Sequence, residues 1–345
     1  MNKNPKKILV VRNDKLGDFM LSYPTFSLLK KALPNTEIHA LVQPYTQSMA
    51  ELCEWIDIVQ LDNYKSDGFK SIYQLYLLFK EHKYDAVITL YSETHTGFAA
   101  FLAKIPYRLA PATKLVQIFY NHRLRQKRSR SEKPEYIYNR DLAEHFLKDF
   151  QINVAEYKKA PFLNFNPQEL KLIYKSFLDA YNINEHKKLV FIHPGSGGSA
   201  NNLTVSQFAE LAHALLNKPA WQLVICAGPD EIIQAQHLAN LTKSLNPVIY
   251  HSKSGLKDFS QHIAIAHLFI SGSTGPLHIA GALDVPTAGF YTRRRSATAL
   301  RWQTLNSDDR RLSFSPPAEA QAEDMHAVDI SACAKLISTT FIASQ

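Results

Sequence analysis

Short apolar runs of strand length alternate with segments of helical spacing along this 345-residue chain, and the alternation begins anew past its midpoint. KILVVR (7–12) reads as a strand buried on both faces, followed by EIHALVQP (37–44), IDIVQLD (56–62) and DAVITLY (85–91). FMLSYPTFSLLKKAL (19–33) and SIYQLYLLFKEHKY (71–84) place apolar residues at helical intervals, with Pro24 expected to bend the first. Strands separated by helices need right-handed crossovers and therefore a parallel sheet.

A less regular stretch follows, with one helix near 136–150 and a linker expected to end near 184–188. The pattern then restarts. KLVFIHPG (188–195), WQLVICAG (221–228), PVIYHS (247–252), HLFISGSTG (267–275) and a final PTAGFY (286–291) read as strands. Helices are expected over 204–216, from about Asp230, and over 260–266, 276–283 and 329–343; Thr204 and Gln207 form a capping box for the first. The expectation is an α/β chain of two Rossmann-like, doubly wound domains, 1–185 and 186–328, with a closing helix at 329–345. In such sheets ligands bind beyond the carboxyl ends of strands. Asp18, the 195–203 loop, Glu231 and Ser273–Gly275 all follow a strand, and the two edges are expected to face one cleft.

The hydrophobic content of 46% suffices for two cores, and no run of about 20 apolar residues predicts a membrane span. MNKNPKK lacks the apolar stretch of a secretory signal. Cys53, Cys226 and Cys333 are odd in number and far apart, which excludes a disulfide framework or zinc spacing and fits a reducing cytoplasm. A net charge of +8 favours an anionic partner. Much of it lies in NHRLRQKRSRSEK (121–133), either a solvated loop or an arm in which Arg123, Arg125, Arg128 and Arg130 grip phosphates. Nucleic acid is disfavoured: no helix-turn-helix, zinc or RNP pattern is present, and the basic run has no interleaved aromatics.

Four turns carry polar chemistry. In SGSTGPLH (271–278), Gly272 and Gly275 admit close approach, Ser273 and Thr274 add hydroxyls, and Pro276 suits a helix start. That combination is either an ordinary capped helix or an anion site for a diphosphate; His278 either packs or donates to a phosphate oxygen. HPGSGGSANN (193–202), with Ser196, Gly197 and Asn201, is a second glycine-rich turn that matches neither the P-loop nor G-x-G-x-x-G. In GPDE (228–231), Asp230 is the expected N-cap, and Glu231 either favours the helix dipole or accepts from ribose hydroxyls. In VRNDKLGDFM (11–20), Asp18 is either an N-cap or a general base.

ILVVRNDKLGDFMLSYPTFSLLKKALPNTEIHALV, FIHPGSGGSANNLTVSQFAELA, AGPDE and SGSTGPLHIAGALDVPTAGFY follow one another in the order and spacing of glycosyltransferase family 9, and the chain resembles these ADP-heptose:lipopolysaccharide heptosyltransferases over nearly its whole length. The resemblance implies a GT-B fold, with the acceptor in the first lobe, the donor in the second and a C-terminal helix crossing back to the first. It implies an inverting, metal-independent displacement with no cofactor, Asp18 as base, and Thr274, Gly275 and His278 at the donor diphosphate. Glu231 then contacts the nucleotide, with Ser196, Gly197, Asn201 and Ser273 beside it. Arg12, Lys15, Arg123, Arg125, Arg128 and Arg130 are expected to engage a phosphorylated lipopolysaccharide core and hold the protein at the cytoplasmic face of the bacterial inner membrane. Two departures stand out: Ser273 replaces the family's aspartate, and Asn201–Asn202 stand where it places a lysine. TRRRS (292–296) is a possible substitute source of charge. Another nucleotide-sugar, hexose or hexosamine, and an inactive lipopolysaccharide-binding homologue are the alternative readings.

Overall fold

The computed structural model describes residues 4–63, 68–113, 115–154, 156–195, 201–216 and 219–342. The chain divides into two compact units, Met1–Lys158 and Lys159–Gln345. The first contains β1 (Lys7–Val11), α1 (Leu16–Met20), α2 (Tyr23–Ala32), β2 (Glu37–Val42), α3 (Gln47–Glu51), β3 (Ile58–Leu61), α4 (Phe69–His82), β4 (Ala86–Thr89), α5 (Thr94–Leu102), β5 (Tyr107–Pro111), β6 (His122–Leu124) and α6 (Glu135–Asp149). All its strand pairs are parallel, in the order β3-β2-β1-β4-β5-β6. β1 is central, with Val11 opposite Leu41 on one side and Thr89 on the other, and Ile8 to Val11 are wholly buried.

The second unit contains α7 (Pro167–Ala180), β7 (Lys188–His193), α8 (Val205–Leu215), β8 (Trp221–Ala227), α9 (Ile232–Leu241), β9 (Val248–His251), α10 (Gly255–Ala264), β10 (Leu268–Gly272), α11 (Gly275–Ala282), β11 (Thr287–Phe290), β12 (Arg311–Phe314) and α12 (Ile330–Ile337). Its parallel sheet runs β12-β11-β10-β7-β8-β9, the same winding as the first. In each sheet the order reverses beside the first strand, between β1 and β4 and between β7 and β10, which is where a doubly wound sheet opens a crevice at its carboxyl edge. The expected capping box of α8 is formed: Gln207 N donates to Thr204 Oγ1 (3.2 Å) and Thr204 N to Gln207 Oε1 (3.0 Å).

Several expectations are corrected. Pro24 does not bend one helix but lies in the first turn of α2, where its missing N–H costs nothing, and α1 ends before it. The irregular stretch after β4 holds α5, β5 and β6, and β11 is followed by a further strand, β12. The division falls at 158/159 rather than 185/186: Phe162 N and Leu163 N both donate to Ala282 O (2.7 and 2.9 Å), and Gln261 donates to Glu169 (2.6 Å), which ties α7 and the segment before it to the second unit. The closing helix was expected on the first lobe. Instead, Ile330, Cys333, Ala334, Ile337, Phe341 and Ile342 are buried in the second unit's core with Phe208, Leu211 and Leu215 of α8. Among the described residues no helix is long and apolar enough to cross a membrane.

Ile337 is fully buried in that core. Ile337→Ala should therefore cost about 2–5 kcal/mol in urea denaturation, by lost transfer energy plus a cavity. A loss below about 1 kcal/mol would show that α12 is not part of it.

Candidate functional site

At the carboxyl edge of the first sheet the main chain leaves β1 under tight constraint. Arg12 N donates to Leu41 O (3.1 Å) and Leu90 N to Val11 O (3.0 Å), so β2 and β4 grip the exit from both sides. Gln43 Nε2 donates to Asn13 O and Tyr45 Oη to Asp14 O, both at 2.9 Å, which pins the turn. α1 then starts with Lys15 as its N-cap residue, so the N-cap reading of Asp18 does not hold; Asp18 lies in the first helical turn. Its carboxylate accepts from Arg12 Nη2 at 2.5 Å and keeps 16% exposure, while the Arg12 side chain keeps 1%.

Arg12 is the hub of this edge. Its Nε donates to Asp14 Oδ1 (2.9 Å), and its Nη1 to Glu135 Oε1 (3.2 Å) and Asn139 Oδ1 (3.1 Å) of α6. Burial opposes its charge, but Asp14, Asp18 and Glu135 together outweigh that and hold the guanidinium firmly protonated. Asp18 is pushed up to about 7, by burial first and by the like charge of Asp14, against the downward pull of Arg12; Glu135 adds a smaller upward push. A carboxyl that titrates near neutrality at a partly open edge is suited to take a proton from a hydroxyl.

Beside it lies a second polar group that the sequence reading did not single out. Asp62, just after β3, accepts from Asn13 Nδ2 (2.6 Å) and lies 2.8 Å from His95 Nε2 on α5. An apolar strand followed by a lone acid carried no motif, and the three residues meet because they follow β1, β3 and β4, parallel strands of one sheet.

The basic segment 121–133 is not a free arm. It contains β6 and a 3₁₀ turn, Arg128–Arg130. Arg128 is 8% exposed and donates to Glu135 Oε1 (2.8 Å), Leu90 O (2.9 Å) and Gln126 Oε1 (2.8 Å). Arg12 and Arg128, expected to grip an acceptor, are thus internal ion-pair partners, because each finds in Glu135 an anion that water cannot reach. Lys15, Arg123, Arg125 and Arg130 are exposed; Arg130 lies 3.6 Å from Glu132.

In the second unit the ends of β7, β8 and β10 are laced together. Glu231 is the N-cap residue of α9, displacing Asp230 from the expected role, and its Oε2 accepts from Gly228 N (3.0 Å) and lies 3.5 Å from His193 Nε2. Burial lowers the His193 pKa, with Glu231 opposing. A Cβ on Gly195 would overlap the Glu231 carboxyl, so only glycine there leaves that carboxyl where it lies. Asn202 reaches inward: its Nδ2 donates to Pro194 O (3.2 Å) and Gly195 O (3.4 Å), and a Cβ on Gly272 would overlap its side chain. Asn201 is exposed, and Ser196 and Gly197 lie outside the described residues.

Thr274 is the N-cap residue of α11 and Gly275 its first helical residue. The Thr274 hydroxyl lies 3.1 Å from Ser271 Oγ, which donates to His193 O (3.0 Å), so it braces β10 against β7. Ser273 is half-buried and its N donates to Phe290 O (3.1 Å). The first N–H groups of a helix lack intrahelical partners, so α11 presents a partial positive charge at this edge. His278 is 3% exposed, its Nδ1 has no partner among the described residues, and burial pushes its pKa down to about 4, so it is neutral at pH 7. Of the arginines after β11, Arg293 is committed to Ala318 O and Ala320 O, while Arg294 and Arg295 are exposed.

The model of "Glycosyltransferase family 9 (heptosyltransferase)" matches residues 73–324. A Haemophilus influenzae protein named "Putative glycosyltransferase" is 45% identical over 320 residues, covering 92% of this chain and 91% of its own. The glycosyl transferase family 9 structure from Veillonella parvula superposes with a TM-score of 0.82 at 17% identity, covering 99% of both chains. The E. coli ADP-heptose lps heptosyltransferase II structure gives 0.76 at 14% identity, covering 98% of this chain and 99% of that one. The chain belongs to glycosyltransferase family 9, the heptosyltransferase family, and has its GT-B α/β fold of two parallel-sheet units.

Proposed function

We propose that this glycosyltransferase moves a heptose from ADP-heptose to the inner core of lipopolysaccharide by one inverting, metal-independent displacement. The observation that carries the reading is the Asp18 carboxylate, partly exposed beyond β1 and brought to about 7 by its surroundings. Asp18 takes the proton of an acceptor hydroxyl while that oxygen attacks the anomeric carbon. The nucleoside diphosphate leaves from the opposite face. A base so placed is worth roughly 10²–10⁴-fold.

The second unit is assigned the donor. The α11 start, with Ser273, Thr274 and Gly275, stabilises charge developing on the departing diphosphate. Glu231 accepts from ribose hydroxyls, and Asn201, with Ser196 and Gly197 of the undescribed stretch before it, is assigned to the donor. Exposed Lys15, Arg123, Arg125 and Arg130 are assigned to the anionic acceptor and to the cytoplasmic surface of the inner membrane. Each contributes about 1 kcal/mol near an anionic surface. Family membership and the heptosyltransferase among the structural relatives support the choice of sugar and acceptor.

A different nucleotide-sugar is the second reading. Asn202 favours it: where the family places a lysine, a neutral amide bonds two carbonyls and offers the diphosphate no cation.

Asp18→Asn should lower sugar transfer by about 10²-fold or more while ADP binding, read by calorimetry, persists; near-normal turnover would exclude Asp18 as base. Gly195→Ala should displace the Glu231 carboxyl and weaken nucleoside diphosphate binding by about tenfold. Unchanged affinity in a thermal-shift titration would remove Glu231 from the donor site. A titration of the wild-type chain with ADP, UDP, GDP and CMP should rank ADP first; a preference for UDP would favour the second reading.

A further inference from the structure

Two arginines and one glutamate behind Asp18 are too deeply placed to touch a sugar, yet they are connected to it. Glu135 Oε1 accepts from Arg12 Nη1 (3.2 Å) and Arg128 Nη1 (2.8 Å), and both Nη1 atoms also approach Asn139 Oδ1, at 3.1 and 3.4 Å. The Glu135 side chain is 2% exposed. Asn139 in turn donates to Leu21 O (3.2 Å), just past the helix that carries Asp18. The remaining face of Arg12 is turned to Asp18 and Asp14.

We infer that Glu135 and Arg128 are positioning residues for Asp18: they hold Arg12 in a fixed orientation and set the balance of charge that Asp18 meets. The balance is a count of buried charges of opposite sign. Asp14, Asp18 and Glu135 supply three carboxylates, and Arg12 and Arg128 supply two guanidinium groups. Tyr45, whose hydroxyl bonds Asp14 O, and Tyr138, whose ring centre lies 5.7 Å from the Arg128 guanidinium, also face this cluster, and Lys15 is exposed at the N-cap of α1. Removing one member changes the balance in a direction fixed by its sign, since little water is present to screen it. Loss of Glu135 leaves Arg12 freer to favour the carboxylate form of Asp18. Loss of Arg128 leaves the charge of Glu135 less balanced and favours the protonated form.

This inference rests on Asp18 being the base, but its test reads the carboxyl group itself. In the full chain labelled with ¹³Cγ-aspartate, the Asp18 resonance is assigned by its loss in Asp18→Asn and followed against pH. Glu135→Gln should move its midpoint down by about one pH unit, Arg128→Gln should move it up, and the double variant should return it towards wild type. Midpoints that stay in place, or move the same way in both single variants, would overturn the inference, because loosened packing alone has no reason to follow the sign of the charge removed. A second measurement needs no substitution: the Nε–H signals of Arg12 and Arg128 should be protected from solvent exchange at pH 8. Rapid exchange at both would overturn the buried cluster. If Asp18→Asn retains transfer while the midpoints move as stated, the assignment of the base fails and the charge balance stands; if transfer is lost and the midpoints do not move, the reverse holds.

Discussion

A guanidinium with almost no exposure cannot remain charged without anions around it, and Arg12 sits at the end of the central strand of the first sheet. Removing one partner of a buried ion pair costs about 3–5 kcal/mol, because the other charge is left in a medium that solvates it poorly. That penalty explains why three separate pieces of chain converge here: the turn after β1, the first turn of α1, and α6 with the segment leading into it. The same convergence removes water from around Asp18 and gives it an ionisation unlike that of a surface aspartate. The packing of this edge and the ionisation of Asp18 thus have one origin.

The second unit solves a different problem, with hydroxyls and an amide around one carboxyl, Glu231. Its edge is held by Ser271, Thr274, Asn202 and Glu231, which lace the ends of β7, β8 and β10, and its two close approaches are made possible by Gly195 and Gly272. The unpartnered N–H groups at the start of α11 give this edge a partial positive charge. Doubly wound sheets of the same order therefore present unlike electrostatics at their carboxyl edges, one an ion cluster and one a set of oriented dipoles.

The buried central strands were legible because they must be apolar on both faces, and Thr204–Gln207 because a capping box is local. Two of the elements missed have sequences governed by an edge. β6 is HRL and β12 is RLSF, short and polar because one side faces solvent, so neither stands out from the basic segments around it. α7 was passed over as the approach to a linker, yet it packs on α10, and the segment before it bonds the end of α11. That Asp18, Glu231 and the 271–278 turn lie beyond strand ends was legible, because the strands before them are apolar runs. The pairing of Arg12 with Glu135 was not, since 123 residues separate them and nothing local distinguishes a buried arginine from an exposed one. For that reason Arg12 and Arg128 were read as ligand-seeking surface charges.

The account depends on Asp18 being a base whose ionisation is raised by burial. The most direct measurement is the pH dependence of kcat/KM for sugar transfer by the wild-type chain. Transfer needs the carboxylate, so the rate should fall about tenfold per unit as pH drops below about 7. A rate that stays level down to pH 5 would mean that Asp18 titrates like an ordinary surface carboxylate or takes no part in proton transfer.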